Sequence, residues 1–240
     1  MQKILSIVIP VFNKWNFTKS CLNDLSNLPS DHEIIIVDNG STDETKFALE
    51  KSTEIIYMRN EKNLGFAKAC NMGYYFQSPA PNVLFLNNDI RVKSNHSDWT
   101  KVLIEKCDDA LVGPTMGQLD DNLNFVQEAN KVLGGKSYMS GWCIASSRKI
   151  WNKLAISPSE ENHLNLDCTR FMPESHCQIF SEEFFCYFED TDLSFRAREK
   201  KIPFEVVDIP IIHFGKTSSK QLNVAQLYQE GRKKFVKKWK

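Results

Sequence analysis

Short runs of aliphatic and β-branched residues alternate with amphipathic stretches through the first hundred positions of the chain. ILSIVIP at 4–10, EIIIVD at 33–38, EIIYM at 54–58 and VLFLN at 83–87 have the length and composition of strands. The first two are almost without polar side chains, which predicts burial on both faces, as in parallel strands covered by helices. Between them Cys21, Leu22, Leu25 and Leu28 recur at helical spacing within 18–28. Ser41-Thr42-Asp43-Glu44 has the form of a capping box opening a helix through Lys51. A third helix is expected over 66–77, with Ala69, Gly73 and Phe76 on one side. This alternation predicts an α/β fold with a mostly parallel central sheet flanked by helices.

Sheets of that kind bind ligands beyond the carboxyl ends of their strands, so the polar residues closing each run become candidates. They are Asn13, the stretch from Asp38 to Asp43, then Arg59, Asn60 and Asn63, and finally Asn87, Asn88 and Asp89. Asp89 at a strand end suits a hard divalent cation bound through oxygen, although Asn88-Asp89 taken alone also suits a turn. Farther on, FFCYF at 184–188 reads as an aromatic strand running into Glu189, Asp190 and Asp192 at a helix start. A helix amino terminus attracts carboxylates through its dipole, but Asp190 also sits against an aromatic wall, where a carboxylate can serve as general base. FEVVDI at 204–209 reads as another strand with His213 just past it, either structural or a partner for a borderline metal, and 215–219 as a flexible loop. The first strand is followed by neither G-x-G-x-x-G nor a phosphate-binding GxxxxGK[ST] loop, which argues against dinucleotide cofactors and ordinary NTP hydrolysis.

Composition narrows the picture further. The chain has 240 residues, enough for one large α/β unit, and its 42% hydrophobic and 25% charged residues are those of an ordinary globule. Thirty basic and thirty acidic side chains cancel, which predicts no nucleic-acid partner. Seven cysteines without a C-x-x-C predict neither a zinc cluster nor a disulfide framework, and point to a reducing, cytoplasmic setting; only Cys168 and Cys177 lie near one another in a loop-like stretch. No apolar run approaches the length of a membrane span. Residues 155–181 show no regular period, which predicts a long loop, either an acceptor-specific insertion or a surface excursion. Asp120, Asp121 and Asn122 read as an exposed turn. The last twelve residues are strongly basic, with Phe235 and Trp239 four apart, and are expected to form a helix docked on the domain in preference to one in peripheral contact with an anionic membrane.

Seven blocks in order resemble the inverting nucleotide-sugar glycosyltransferases of family two: SIVIPVFN, IIIVDNGSTDET, NLGFAKACNMGY, VLFLNNDIRV, GWCIASSRKIW, FFCYFEDTDLSFRAREKKIPFEVV and HFGKTSS. The LNND and FEDTDL blocks are especially similar to the rhamnosyltransferase-like branch, which decorates surface polysaccharides. The resemblance implies a GT-A (nucleotide-diphospho-sugar transferase) fold forming a single domain over 1–240. Within it, 1–92 would form the nucleotide-sugar-binding half, 93–219 the acceptor and catalytic half, and 220–240 a basic terminal helix. It implies a donor, most readily UDP- or dTDP-linked, contacted by Pro10, Phe12, Asn13, Asp38, Asn39, Asn63, Gly65, Lys68, Asn88, Gly141 and Trp142. It further implies Mn2+ or Mg2+ at Asp89 and His213, Asp190 as base beside Glu189, and a glycan, lipid-linked glycan or protein as acceptor. The chain departs from the family's D-x-D pattern at Asn87, which removes one charged ligand. Two competing readings are a catalytically silent sugar-nucleotide-binding protein and a nucleotidyltransferase, the latter lacking its usual triphosphate loop.

Overall fold

The structure is a computed structural model that describes residues 2–76, 80–93, 99–156, 178–215 and 223–240. Its centre is built from the four runs read as strands: β1 (Leu5–Val11), β2 (His32–Asp38), β3 (Ile56–Arg59) and β4 (Asn82–Leu86). They lie in the order β4-β1-β2-β3 and all pair in parallel. Three short strands extend the sheet beyond β4. β10 (Cys143–Ser147) runs antiparallel to β4, β6 (Leu111–Gly113) antiparallel to β10, and β11 (Phe204–Val206) parallel to β6. Among the described residues two smaller sheets hold the other strands: a ribbon of β5 (Ile90–Val92) with β12 (Ile211–His213), and the trio β7 (Met116–Leu119), β8 (Phe125–Ala129) and β9 (Ser137–Met139).

Alternation along the central strands divides the core into two layers. Val8, Ile35, Val37, Val83 and Phe85 point to one face, where they meet α3 (Phe66–Tyr75), α5 (Arg148–Leu154) and α6 (Glu189–Glu199) through Ala69, Trp151 and Leu193. Ile7, Ile9, Ile36, Leu84 and Leu86 point to the other, against Cys21 and Leu25 of α1 (Trp15–Leu25), Leu49 of α2 (Thr45–Leu49) and Leu103 of α4 (Trp99–Ile104). Burial on both sides is why these strands tolerate so few polar residues, each fully buried aliphatic side chain contributing about 1.5–3 kcal/mol.

The structure departs from expectation at several places: α1 starts and ends three residues earlier than the 18–28 expected, and β11 covers only the first half of the 204–209 run. α2 is only five residues long and Ser41 does not cap it; the Ser41 hydroxyl instead accepts the Asn13 N–H at 2.7 Å, and Asp43 accepts from the Thr45 N–H at 3.1 Å. Residues 184–188 are not a strand, because Tyr187 and Phe188 take left-handed conformations, φ 73° and 72°, that break extended pairing. The helix expected over 66–77 ends at Tyr75. Asp120 does organise a turn, accepting from the Asn122 and Asn124 N–H groups. The terminal helix α7 (Val224–Trp239) docks as expected, with Phe235 fully buried against Phe188, Phe195 and Trp239. Most of the 155–181 stretch, with Cys168 and Cys177, and the 216–219 part of the expected loop lie outside the described residues. No helix among the described residues is long and apolar enough to cross a membrane.

Candidate active site

The loops after β1 and β2 are tied into one shelf. Asn13, left-handed at φ 55°, accepts the Thr42 N–H at 2.7 Å, and Asp43 accepts the Trp15 N–H at 2.9 Å. Burial pushes the Asp43 carboxyl up, but hydrogen bonds from Thr45 and Trp15 outweigh it and hold the group below the usual range. Asp38 at the end of β2 is wholly buried. Its oxygens accept the Ser41 N–H at 2.8 Å, the Tyr57 hydroxyl at 2.8 Å and the Arg59 guanidinium. Asn39 donates to the Gly65 carbonyl at 3.0 Å and accepts from Asn60 at 2.8 Å, while Asn63 accepts the Gly65 N–H at 2.9 Å. Gly65 has φ 92° and lies so close to Phe185 that a Cβ would come within 2.5 Å of the Phe185 carbonyl. Pro10 is buried in β1, Phe12 is half-buried, and Lys68 on α3 faces Glu182 at 3.9 Å.

A second centre forms where β4 ends. The antiparallel β5–β12 ribbon aligns His213 with Ile90, and the Phe214 N–H donates to the Asp89 carbonyl at 2.9 Å. This brings His213 Nε2 to 3.1 Å from Asp89 Oδ1 and 3.3 Å from Asn87 Nδ2. The imidazole ring is stacked on Trp142 with centroids 4.7 Å apart and planes 9° from parallel. Asn88 turns away into the fold and donates to the Thr18 hydroxyl at 2.8 Å.

Among the described residues no three of His, Cys, Asp and Glu gather at one point. One carboxylate, one imidazole and one amide do converge here, with His213 Nε2 within hydrogen-bond reach of both Asp89 and Asn87. A cation among the three would accept the lone pairs of Nε2, Asp89 and, with its amide turned over, the Asn87 oxygen. The donor set therefore fits Mn2+ or Mg2+ holding its remaining positions for phosphate and water.

A third centre is the start of α6. Asp190 Oδ2 accepts the Gly141 N–H at 2.8 Å and Oδ1 accepts the Thr191 N–H at 2.7 Å. Burial raises the Asp190 carboxyl above its usual value, while these hydrogen bonds oppose the rise. Glu189 is more perturbed: burial, reinforced by the Asp190 charge, raises it well above the ordinary range, and its Oε2 has no hydrogen-bond partner among the described residues. Burial thus disfavours ionisation of both carboxyls, and two negative charges side by side are disfavoured further. Gly141 leaves room for the approach, since a Cβ there would lie 3.0 Å from Asp190 Cβ and press on it.

Gly141 and Trp142, consecutive residues entering β10, join the two chemical centres. The first binds Asp190; the second stacks on His213, and its carbonyl accepts the Asn87 N–H at 2.8 Å. The pattern of residues alone did not show Asn71. It is wholly buried on α3, donates to the Phe180 carbonyl, accepts the Ile179 and Phe180 N–H groups, and so anchors the segment leading to Asp190. Arg196 was missed as well; it ties Asp192 to the Leu154 and Ile179 carbonyls. A polar residue on an otherwise apolar helix face was the available signal for Asn71.

The model of the glycosyl transferase family 2 matches residues 6–185. An uncharacterized glycosyltransferase of Rickettsia prowazekii (strain Madrid E) is 28% identical over 250 residues, covering 98% of this chain and 72% of its own. Among solved structures, S. aureus TarS 1–349 in complex with UDP superposes with a TM-score of 0.56 at 18% identity, over 87% of this chain and 59% of that one. GalNAc-T7 with UDP, GalNAc and Mn2+ superposes at 0.60 and 14% identity, over 88% of this chain and 43% of that one. The chain thus spans less than two thirds of these solved chains. At such identities the likeness is one of fold, and the fold is GT-A. With three quarters of its length matched by the family model, the chain belongs to glycosyl transferase family 2.

Proposed function

We propose that the chain transfers a sugar from a nucleoside-diphosphate donor to an acceptor hydroxyl with inversion at the anomeric carbon. The observation that carries the reading is the link through Gly141 and Trp142, which holds a buried carboxylate beside a centre suited to a cation. A cation at Asp89, His213 and Asn87 would supply positive charge for the departing diphosphate. The acceptor oxygen bonds to the anomeric carbon as the bond from that carbon to the diphosphate breaks, and Asp190 takes the hydroxyl proton. A single displacement of this kind inverts configuration. Gly141 keeps Asp190 aimed, and burial disfavours a second negative charge on Glu189 beside it.

The shelf formed by Asn13, Asn39, Asn63 and Gly65 is the donor platform in this reading, with Pro10 behind it and Lys68 at its edge. Because Asp38 is wholly covered, we assign it to shaping that shelf, and the contact with the base passes to the partly exposed Phe12 and Arg59. Asn88, bonded to Thr18, holds the turn that presents Asp89. Bound UDP in the TarS structure and UDP with Mn2+ in the GalNAc-T7 structure support a nucleotide-sugar donor, UDP-linked first among the choices, and a divalent ion. Acceptor chemistry in surface polysaccharide synthesis follows the resemblance to the rhamnosyltransferase-like branch. The test is a thermal-shift screen of UDP-, dTDP- and GDP-sugars with and without Mn2+. One nucleotide class should raise the melting temperature only when Mn2+ is present; no shift with any of them would refute the reading.

A further inference from the structure

Behind Asp190 the chain makes a turn whose conformation is costly. Tyr187 and Phe188 are both left-handed, at φ 73° and 72°, a region bulky side chains avoid and keep only where surrounding structure holds them. Phe188 directly precedes α6, so this turn sets the direction in which the helix, with Asp190 in its first turn, begins.

What holds the turn is α7. A Cβ at Gly231 would sit 3.0 Å from the Tyr187 carbonyl oxygen and 3.1 Å from Phe188 Cδ2, so the helix backbone rests directly on the turn. Phe188 stacks on Phe235 at 5.4 Å and packs on Tyr228 at 5.1 Å. One position beyond Thr191, the wholly buried Asp192 is gripped by α7 and α6 together: Trp239 Nε1 donates to Oδ1 at 2.9 Å, Lys238 Nζ lies at 2.8 Å, and Arg196 Nε donates to Oδ2 at 2.9 Å. Ahead of the turn, Lys234 Nζ donates to the Glu183 carbonyl at 2.6 Å and Lys238 pairs with the Glu183 carboxylate at 3.2 Å. α7 therefore clasps the segment 183–192 at its two ends and its middle.

We propose that α7 is a positioning element for the transfer reaction, with Gly231 and Phe235 holding the 186–188 turn and Trp239 holding Asp192 beyond it, so that Asp190 keeps its hydrogen bond to Gly141 and its aim at the acceptor. The proposal rests on Asp190 being the base. Close packing transmits small displacements, and a misplacement of about 1 Å can cost roughly a hundredfold in rate.

The test compares Gly231→Ala and Trp239→Phe with the parent full-length chain, measuring nucleoside diphosphate release from a UDP-sugar with Mn2+ across pH. Alanine is the better helix former, so a helix that merely covers the core predicts unchanged turnover in Gly231→Ala. Positioning predicts that kcat falls about 10- to 100-fold while the donor KM changes less than about twofold. It also predicts that the acid limb of kcat moves to higher pH, because a weakened Gly141 bond no longer opposes the raised carboxyl. Hydrogen exchange of the 186–192 backbone, which needs no turnover, should quicken in both variants. Parent-like kcat, acid limb and exchange in Gly231→Ala and Trp239→Phe would overturn the proposal. Asp190→Asn, run beside them, separates the two claims: full turnover in that variant removes the base assignment, whereas exchange decides whether α7 holds the turn.

Discussion

At the scale of single residues, the proposed chemistry turns on two neighbouring buried carboxyls. Glu189 is buried, and its folded-state proton is held well above 4.5, the ordinary value, because burial and the Asp190 charge both disfavour ionisation. In the unfolded chain the same group releases its proton near 4.5, so between that pH and the raised value the folded state binds more protons, and stability falls as pH climbs through the window. Glu189→Gln keeps the shape and removes the titration. It should be more stable than the parent at pH 7 by about 1–3 kcal/mol, with the gap closing below about pH 4, as measured by urea unfolding at the two pH values. As the proposed base, Asp190 must be ionised to accept a proton. Since burial raises it above 3.8, the acid limb of kcat should have its midpoint above that value in a pH–rate profile.

At the scale of elements, packing overrides local preference in several places. Gly73 lies on α3 where a Cβ would meet Val8 Cγ1 at 2.3 Å. An alanine there gains about 1 kcal/mol of helix propensity but must push the helix off β1, so Gly73→Ala should destabilise by about 1–3 kcal/mol net in thermal or urea unfolding. The central strands were legible because burial on both faces leaves an unmistakable apolar run. β5, β6, β10 and β12 were not, being three to five residues long and without a period of their own. Ser41 to Glu44 had the spacing of a cap, yet a partner nearly thirty residues away in sequence, the Asn13 N–H, took the hydroxyl. The aromatics at 184–188 had strand composition, but their shape is set by α7, some forty residues downstream. Asp89, Asp190 and His213 could be named from the chain, the last mainly through resemblance. Their association could not, since it depends on β10 running antiparallel to β4, which sets residue 143 opposite residue 86 and so carries Gly141 and Trp142 to the strand end.

At the scale of the whole molecule, ligand binding and stability are one equilibrium. A nucleoside diphosphate at about a hundred times its Kd should stabilise the fold by about 2.7 kcal/mol. If a cation binds at Asp89, His213 and Asn87 as proposed, that gain should vanish with EDTA and weaken about 10- to 100-fold in apparent affinity in His213→Ala, read by calorimetry of UDP with Mn2+. The balanced net charge leaves no overall field to draw a polyanion, so in the proposed reaction the diphosphate would depend on this local centre. The most direct test of the account is nucleoside diphosphate release from sugar nucleotides with Mn2+, compared for the parent, Asp190→Asn and Asp89→Ala. The account predicts that Asp190→Asn binds the nucleotide as the parent does but turns over about 100- to 10,000-fold more slowly, while Asp89→Ala loses metal-dependent binding itself. Parent-like turnover in Asp190→Asn, or unchanged Mn2+-dependent binding in Asp89→Ala, would contradict it.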